Sequence, residues 1–380
     1  MSMRRIGLSM VIYMMSIGPR QMSWAQTIDL APLSGSLERQ YWGLFFASPT
    51  AGYVLTTHEV LHTADAGQHW ELRATPGGRI EQSFFLDDNA AWLYVRTADF
   101  ALYRTVDGFH TLQTMSTQFQ RHDKVRVGTV SQVFFLDINR GWAAGGNHVA
   151  VTTDGGQTWS GYLIPEQLGD VKRVLMFSGT DGIAQTDIGV IRTRDGGITW
   201  QAMAGAPRDT SDLQCAGQAM CMTVDVINTV QASSDGGTSW QQQSVPIDGG
   251  HIDHRDMLVN LQVVSATRAY IFGTDNHIPP IGQRQVVRPD GIFFTPKFPT
   301  TSFLITYDGT TWTRHNYDNI ESIGHGQFVD DLQGWAASDE NNIFRTTDGG
   351  QTWTTVQDYF RQIAALTPTP APFVLPTPSP

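Results

Sequence analysis

One eight-residue motif recurs along the chain and constrains the fold more than any other feature. Its consensus is Ser/Thr-x-Asp-x-Gly-x-Thr-Trp, and each copy is called an Asp turn below. The central aspartates of the seven copies are Asp65, Asp107, Asp154, Asp195, Asp235, Asp308 and Asp348. Successive aspartates lie 42, 47, 41, 40, 73 and 40 residues apart. A period of about 42 residues is typical of one four-stranded propeller blade per copy.

A second pattern precedes the Asp turns: an apolar strand, a polar turn, then a small residue and an aromatic one. It is clearest at Phe84–Trp92, Val133–Trp142 and Phe328–Trp335, and weaker at Phe45–Tyr53, Val263–Tyr270, Met176–Gly182 and Cys215–Cys221. Because every Asp turn has its own upstream hairpin, the interval of 73 residues indicates one blade with a long insertion. The sequence therefore predicts an all-β, seven-bladed β-propeller with four-stranded antiparallel blades over residues 40–360, with an insertion at 274–301 in blade six.

The repeated residues are those that a tight turn needs. Glycine adopts positive φ at little cost, and an aspartate side chain accepts hydrogen bonds from nearby backbone N–H groups. The motif also carries a tryptophan whose broad apolar face can pack between sheets. These tryptophans are Trp70, Trp159, Trp200, Trp240, Trp312 and Trp353. Seven equivalent catalytic sites are implausible, so we interpret the Asp turns as structural.

The two ends of the chain differ from the repeat region. Arg4 and Arg5 precede an apolar run and the small-residue sequence Ser23-Trp24-Ala25, which is typical of a secretory signal peptide over residues 1–25. An uncleaved anchor is the alternative. Residues 26–39 are interpreted as a lead-in, and the Pro/Thr-rich segment 361–380 as a disordered tail. After cleavage we expect no membrane span and an extracytoplasmic location: secreted, periplasmic or at the cell surface.

Charge and cysteine content narrow the partners further. The formal net charge is −11, and loss of residues 1–25 removes Arg4, Arg5 and Arg20 but no acid, which gives −14. Such a surface disfavours nucleic acid. The two cysteines, Cys215 and Cys221, predict a local disulfide in an exported protein, with two buried thiols as the alternative.

Two long segments are predicted to meet on one face of the propeller. Strands A to D alternate in direction, so the D–A and B–C loops share the face that we call upper, while the A–B turns and the Asp turns share the lower face. The D–A loop Asp248–Asp256 and the B–C insertion 274–301 both belong to blade six, and long loops of this kind are often functional. The candidate binding residues are His251, Asp253, His254, Asp256, His277, Arg284, Arg288, Phe293, Phe294 and Phe298.

The chemistry of these candidates leaves alternatives open. The histidines and aspartates of the D–A loop could hold a metal, but no recognised ligand spacing is present, and we predict no metal and no cofactor. The three phenylalanines fit a partner-binding surface or a cover over the propeller rim. A weaker candidate is the loop from Gln118 to Arg126.

The Asp turns resemble the Asp-box, or bacterial neuraminidase repeat. Paired with the upstream Gly-Trp hairpin, as in Val133–Trp159, they resemble the seven-bladed propellers of the photosystem II assembly and stability factor type over about residues 40–357. The resemblance implies a protein that binds other proteins during complex assembly through an arginine-rich patch. Here the arginines are scattered along the chain, at Arg96, Arg104, Arg121, Arg192 and Arg314.

Sialidases share the Asp-box and supply the enzymatic alternative. Their Arg-Ile-Pro signature is absent here, and the nearest fragment is Arg79-Ile80-Glu81. Other glycoside hydrolases need only two acids across a cleft. The sequence thus favours an exported, non-enzymatic propeller that binds a protein or glycan partner through its upper loops. The alternatives are a secreted glycoside hydrolase and a photosystem II-type assembly factor.

Overall fold

The computed structural model describes the repeat region with internal gaps. The described residues are 41–98, 100–115, 119–121, 130–225, 227–247, 254–277, 286–287, 293–294, 300–318, 320, 323–338 and 342–356. The signal segment, the lead-in and the Pro/Thr-rich tail lie outside these residues and stay predictions.

Seven four-stranded antiparallel sheets form a closed ring, which confirms the predicted seven-bladed β-propeller. Blade one comprises β1 (Tyr41–Phe46), β2 (Gly52–Thr56), β3 (Val60–Thr63) and β4 (Glu71–Ala74). Blade two comprises β5 (Arg79–Phe85), β6 (Ala91–Arg96), β7 (Phe100–Thr105) and β8 (Gln113–Met115), and β9 (Phe119–Arg121) follows it. Blade three comprises β10 (Gln132–Phe135), β11 (Gly141–Gly145), β12 (His148–Thr152) and β13 (Trp159–Leu163).

The later blades repeat the same order. Blade four comprises β14 (Val171–Met176), β15 (Gly182–Thr186), β16 (Val190–Thr193) and β17 (Gln201–Ala202). Blade five comprises β18 (Thr210–Ala216), β19 (Met220–Asp225), β20 (Val230–Ser233) and β21 (Gln241–Gln243). Blade six comprises β22 (His254–Ser265), β23 (Arg268–His277), the short pair β24 (Val286–Val287) and β25 (Phe293–Phe294), β26 (Thr300–Tyr307) and β27 (Trp312–Tyr317). Blade seven comprises β28 (Ile323–Phe328), β29 (Gly334–Ser338), β30 (Ile343–Thr346) and β31 (Thr354–Val356).

Every blade is one contiguous stretch of chain, and the strand order in each sheet follows the sequence. The ring closes where β1 packs against β28 and β29. One strand departs from this scheme, because β9 adds to the outer edge of blade three by pairing in parallel with β13. Among the described residues, the one helix is a single 3-10 turn, Glu166–Leu168. No helix in this part of the chain could span a bilayer.

The second sequence pattern has a packing explanation. At three junctions between blades, the aromatic residue of strand B in one blade stacks on the aromatic residue of strand A in the next. The ring centroids are 3.6 Å apart for Trp92 and Phe135, 3.7 Å for Tyr270 and Phe328, and 3.9 Å for Trp335 and Phe46. These rings are among the largest fully buried side chains, so they form the seams between blades.

The small residue before the strand B aromatic makes room for a ring of its own blade. A Cβ at Gly141 would lie 2.4 Å from the Phe135 ring, and one at Gly52 would lie 2.4 Å from the Phe46 ring. Phe135 pairs directly with Gly141 across the hairpin. In the Gly-Trp dipeptide, the glycine therefore leaves room for the strand A ring of its own blade, and the tryptophan supplies a ring that packs against the neighbouring blade.

The inner strands are also joined by polar side chains. Gln132 Oε1 accepts a hydrogen bond from the backbone N–H of Val174 in the next blade at 2.7 Å. Asp212 Oδ2 accepts one from Leu261 N–H at 3.1 Å, and Asn260 Oδ1 accepts one from Gly326 N–H at 3.3 Å. In blades three, five and six a polar side chain of strand A thus satisfies a backbone donor of the next blade near the centre of the ring.

Candidate binding surface

The lower face is formed by the A–B turns and the Asp turns, which are bonded to each other. Gly155 N–H of an Asp turn donates to Asn139 O of the A–B turn at 2.8 Å, and Gly196 N–H donates to Thr180 O at 2.8 Å. Indole N–H groups join neighbouring blades, because Trp92 Nε1 donates to Gly155 O at 3.0 Å. The lower face is therefore a closely bonded framework.

The carboxylates of the Asp turns accept hydrogen bonds from residues of their own turns. In the turn around Asp154, Oδ1 accepts bonds from Thr152 Oγ1 at 2.8 Å and from Thr158 N–H at 2.9 Å. The same bonds recur around Asp195, Asp235 and Asp348, and in the shorter turn Asp308 Oδ1 accepts from Thr310 and Thr311 N–H instead. Backbone and side-chain hydrogen bonds from Ser239, with one from Ser233, lower the pKa of Asp235 to about 2. These acids are held ionised by the turn that they stabilise.

The upper face is uneven because blade six projects from it. Its strands β22 and β23 have 12 and 10 residues, whereas strand A has four to seven residues in the other blades. Their pairing continues upward to His254 opposite His277, and Thr300 at the start of β26 pairs with Asn276. A three-stranded extension with the β24–β25 pair in its B–C connection therefore rises above the ring.

A buried ion pair supports the base of this extension. The Arg314 guanidinium contacts both carboxylate oxygens of Asp256, and its Nη2 lies 3.0 Å from Asp256 Oδ1. The guanidinium also stacks over the Phe303 ring with Cζ 3.9 Å from the centroid. Asp256 is 3% exposed. The bidentate geometry fixes strand A of blade six to strand D.

A turn of blade five is hydrogen-bonded to the same strand, β22. Asn228 Nδ2 donates to Asp256 O at 2.6 Å, and Asn228 Oδ1 accepts from Leu258 N–H at 3.1 Å. Asn228 has a φ of 67°, a left-handed conformation that asparagine tolerates better than most residues. Its amide thus bonds to the backbone on both sides of Met257, which is 49% exposed, and the preceding residue of the turn, Ile227, is 74% exposed.

Some of the predicted site residues lie in strands of blade six, and others lie outside the described residues. His254 and Asp256 belong to β22 rather than to a loop, and His254 lies opposite His277. Phe293 and Phe294 form β25 and pair with Val287 and Val286. His251, Asp253, Arg284, Arg288 and Phe298 lie outside the described residues, as does most of the loop Gln118–Arg126. Within the part that the structure describes, no three His, Cys, Asp or Glu residues are grouped to hold a metal.

Several residues of this surface were missed by sequence reasoning. Ile227, Asn228 and Met257 carry no recognisable motif, and Arg314 was noted only as one of the scattered arginines. The arginines contact different acids: Arg96 lies 2.8 Å from Glu81, and Arg192 lies 2.8 Å from Asp181. The signal for Asn228 was weak, since a single asparagine in a short turn is common.

The disulfide prediction is confirmed. Cys215 and Cys221 are bonded, and no free cysteine is present. They occupy paired positions of the A–B hairpin in blade five, and Cys221 is fully buried. In blades one, two, three and seven this pair is a phenylalanine and a small residue, so the disulfide takes the place of that packing in blade five.

The fold and this upper surface define a seven-bladed β-propeller with an extended sixth blade. No protein-family model and no curated protein matches the chain. The solved structures that resemble it include "YCF48 bound to D1 peptide", with 13% identity, a TM-score of 0.55, and coverage of 84% of this chain and 96% of that one.

Two further structures give the same picture. YCF48 from Cyanidioschyzon merolae is 17% identical with a TM-score of 0.51, and 75% of this chain and 87% of that one are covered. The computationally designed Ika8 protein is 11% identical with a TM-score of 0.51, and 82% and 97% are covered. At these identities the likenesses concern the fold alone.

Proposed function

We propose that the protein is a non-enzymatic, extracytoplasmic propeller that holds a segment of a partner protein on its upper face, against the extension of blade six. The observation that carries this proposal is the length of β22 and β23, which lift paired backbone well above the ring. An ordinary blade needs no such extension for its own packing. The contacts of Arg314 and Asn228 hold the base of the extension in place, so that a partner can pack against it.

The apolar surface beside the extension of blade six favours a protein partner over a glycan. Ile227 and Met257 are exposed aliphatic side chains, and such groups contribute most when they pack against apolar groups of a partner. The structure of YCF48 carries a D1 peptide, so one propeller of similar fold accepts a peptide. We extend only that mode of binding, a peptide on a propeller, to this chain.

The extracytoplasmic location is supported by the disulfide between Cys215 and Cys221. Disulfides persist in oxidising compartments and are rare in the reducing cytosol. The basic and apolar start of the sequence, with Arg4 and Arg5, fits an export signal. A partner would then be another envelope or secreted protein.

The test is a loop replacement in the full-length protein. Residues 278–299 are exchanged for a short Gly-Ser linker that joins His277 to Thr300, and proteins retained from the native envelope are identified by mass spectrometry. We expect a specific protein to bind the parent chain and to be lost from the variant. The matched control replaces the exposed lower-face residue Leu332 by Asp.

Three results would contradict the proposal. If the parent and the loop variant retained the same proteins, the insertion of blade six would not be required for binding. Retention of glycans instead of proteins would change the class of partner. Turnover of chromogenic glycosides, abolished by replacing one exposed upper-face acid such as Asp209 with Asn, would make the protein a glycoside hydrolase.

A further inference from the structure

Among the described residues, exposed aliphatic side chains are distributed unequally between the two faces. On the lower face they are isolated from one another, in blades two, four and seven. On the upper face they follow one another over four consecutive blades. The lower-face residues are Val106, Ile198 and Leu332, and the upper-face residues are Leu163, Ile188, Ile227, Met257 and Val259. We call the upper-face set the apolar arc.

The arc runs in one direction across the ring. Leu163 ends β13, the fourth strand of blade three, while Ile188 and Ile227 occupy the B–C turns of blades four and five. Met257 and Val259 belong to β22, the innermost strand of blade six. The arc therefore passes from the rim toward the centre and ends against the projecting extension.

The turn that presents the middle of the arc is held by several hydrogen bonds. Asp225 Oδ1 accepts hydrogen bonds from Ile227 N–H at 2.9 Å and from Thr229 N–H at 2.7 Å. Asn228 then ties this turn to β22 on both sides of Met257. A hydrophobic residue that is 74% exposed on a turn with this many bonds is presented in a fixed position. A preordered apolar surface loses little entropy when a partner covers it.

The charges around the arc are mainly negative. Among the described exposed or half-buried side chains at the upper ends of blades three to five, six are acidic and three are basic. The acids are Glu166, Asp170, Asp187, Asp209, Asp212 and Asp225, and the bases are Lys172, Arg173 and Arg208. The whole chain has the same sign, with a formal charge of −11. A complementary segment would be positively charged.

We propose that the apolar arc binds one extended, basic segment of the partner protein, with an apolar side chain at about every third residue. This inference rests on the proposed function and specifies the chemistry of the partner. Facing sheets lie roughly 10 Å apart. An extended chain in the polyproline II conformation advances roughly 3.1 Å per residue with three residues per turn, so every third side chain points the same way. About three residues therefore separate the side chains that reach neighbouring blades.

The test uses a phage-displayed library of random 12-residue peptides, selected on the full-length protein. We expect selected peptides to carry Lys or Arg in excess and aliphatic or aromatic residues about three positions apart. A synthetic copy of the best peptide should bind Ile227→Asp and Met257→Asp about tenfold or more weakly than the parent. It should bind the matched lower-face variants Ile198→Asp and Leu332→Asp with unchanged affinity. Circular dichroism melting of all four variants establishes that they are folded.

The outcomes separate this inference from the proposed function. Selection of acidic or purely polar peptides, or unchanged binding by the arc variants, would overturn the arc proposal. If the arc variants lose the peptide but keep the envelope partner that requires residues 278–299, the arc proposal fails while the proposed function stands. If the arc variants lose both and the loop replacement loses neither, the partner binds the arc and the role assigned to the insertion is wrong.

Discussion

Gln327 and Phe46 exchange two hydrogen bonds at the point where the ring closes. Phe46 N–H donates to Gln327 Oε1 at 2.8 Å, and Gln327 Nε2 donates to Phe46 O at 3.1 Å. The two residues are 281 positions apart in the sequence. Because every blade is contiguous, no strand is shared between the two ends of the chain. Closure therefore depends on side-chain contacts such as this one and the stack of Trp335 on Phe46.

Replacing Gln327 with Ala should weaken this closure. The substitution leaves two backbone groups of Phe46 without their partner in a largely buried seam, which costs roughly 1–3 kcal/mol of unfolding free energy. Urea denaturation followed by tryptophan fluorescence measures the change. The exposed Gln241 on the outer strand of blade five is the control, and Gln241→Ala should change stability by less than about 0.5 kcal/mol. Equal effects at the two positions would contradict the closing role of Gln327.

Gly141 should not tolerate a side chain. A Cβ at this position would lie 2.4 Å from the Phe135 ring, so Gly141→Ala forces the ring and its stacking partner Trp92 to move. We expect a loss of about 1–3 kcal/mol in unfolding free energy, as for other overpacked cores. Gly43→Ala is the matched control on strand A, since its Cβ would meet Leu55 at 3.6 Å. Similar melting temperatures for the two variants would contradict the packing account.

Arg314 should be more important to stability than an ordinary surface arginine. Arg314→Met removes the positive charge beside the buried carboxylate of Asp256, and loss of one partner from a buried ion pair costs about 3–5 kcal/mol. The double variant Arg314→Met with Asp256→Leu should regain much of the stability, since no buried charge remains. Arg140→Met, at an exposed surface pair, is the control. A double variant as unstable as the single one would contradict this electrostatic explanation.

The stability of blades one and two should depend on pH through His62. Burial, together with the charges of Arg73 and His110, lowers the pKa of His62 to about 4 from its ordinary value near 6.5. Between these two values the unfolded chain binds a proton that the folded chain excludes, so stability falls as the pH drops from about 6.5 to about 4. Denaturation series in urea at several pH values measure the slope. His62→Gln should reduce it, and an unchanged slope in that variant would contradict the prediction.

The disulfide of blade five should stabilise the protein modestly. It closes a loop of only a few residues, for which the chain-entropy estimate is about 2 kcal/mol. Reduction should lower the urea midpoint of the parent chain by a corresponding amount and should leave a Cys215→Ala, Cys221→Ala double variant unaffected. Thiol titration of the unfolded, unreduced protein should find no free thiol. Free thiols in protein purified from its native compartment would contradict an oxidising location.

Much of the fold could be predicted because it is repeated. In blade three the sequence predicted a hairpin at Val133–Trp142 and a tight turn around Asp154. The observed strands β10 and β11 form that hairpin, and the turn joins β12 to β13. Local turn chemistry determines these boundaries. The same regularity identified the hairpin around Cys215 and Cys221, where the aromatic signal is missing but the position in the repeat is not.

The candidate binding surface could be predicted only in outline. The irregular spacing before Asp308 drew attention to blade six, and the structure places the extra residues between β23 and β26. The boundaries differed, because pairing in β22 and β23 continues through Asp256 and Asp275 into segments predicted as loops. Asn228, Ile227 and Met257 were not predicted, since their importance arises from contact between two blades.

By itself the sequence determined the number of blades, the strands within them, the Asp turns and the disulfide, because each of these depends on residues close together in the chain. Tertiary structure alone decided which blades touch, that Gln327 reaches Phe46, and that Asn228 holds the strand carrying Met257. Such contacts join residues tens to hundreds of positions apart, and their geometry is set by the closure of the ring. No local propensity encodes that closure.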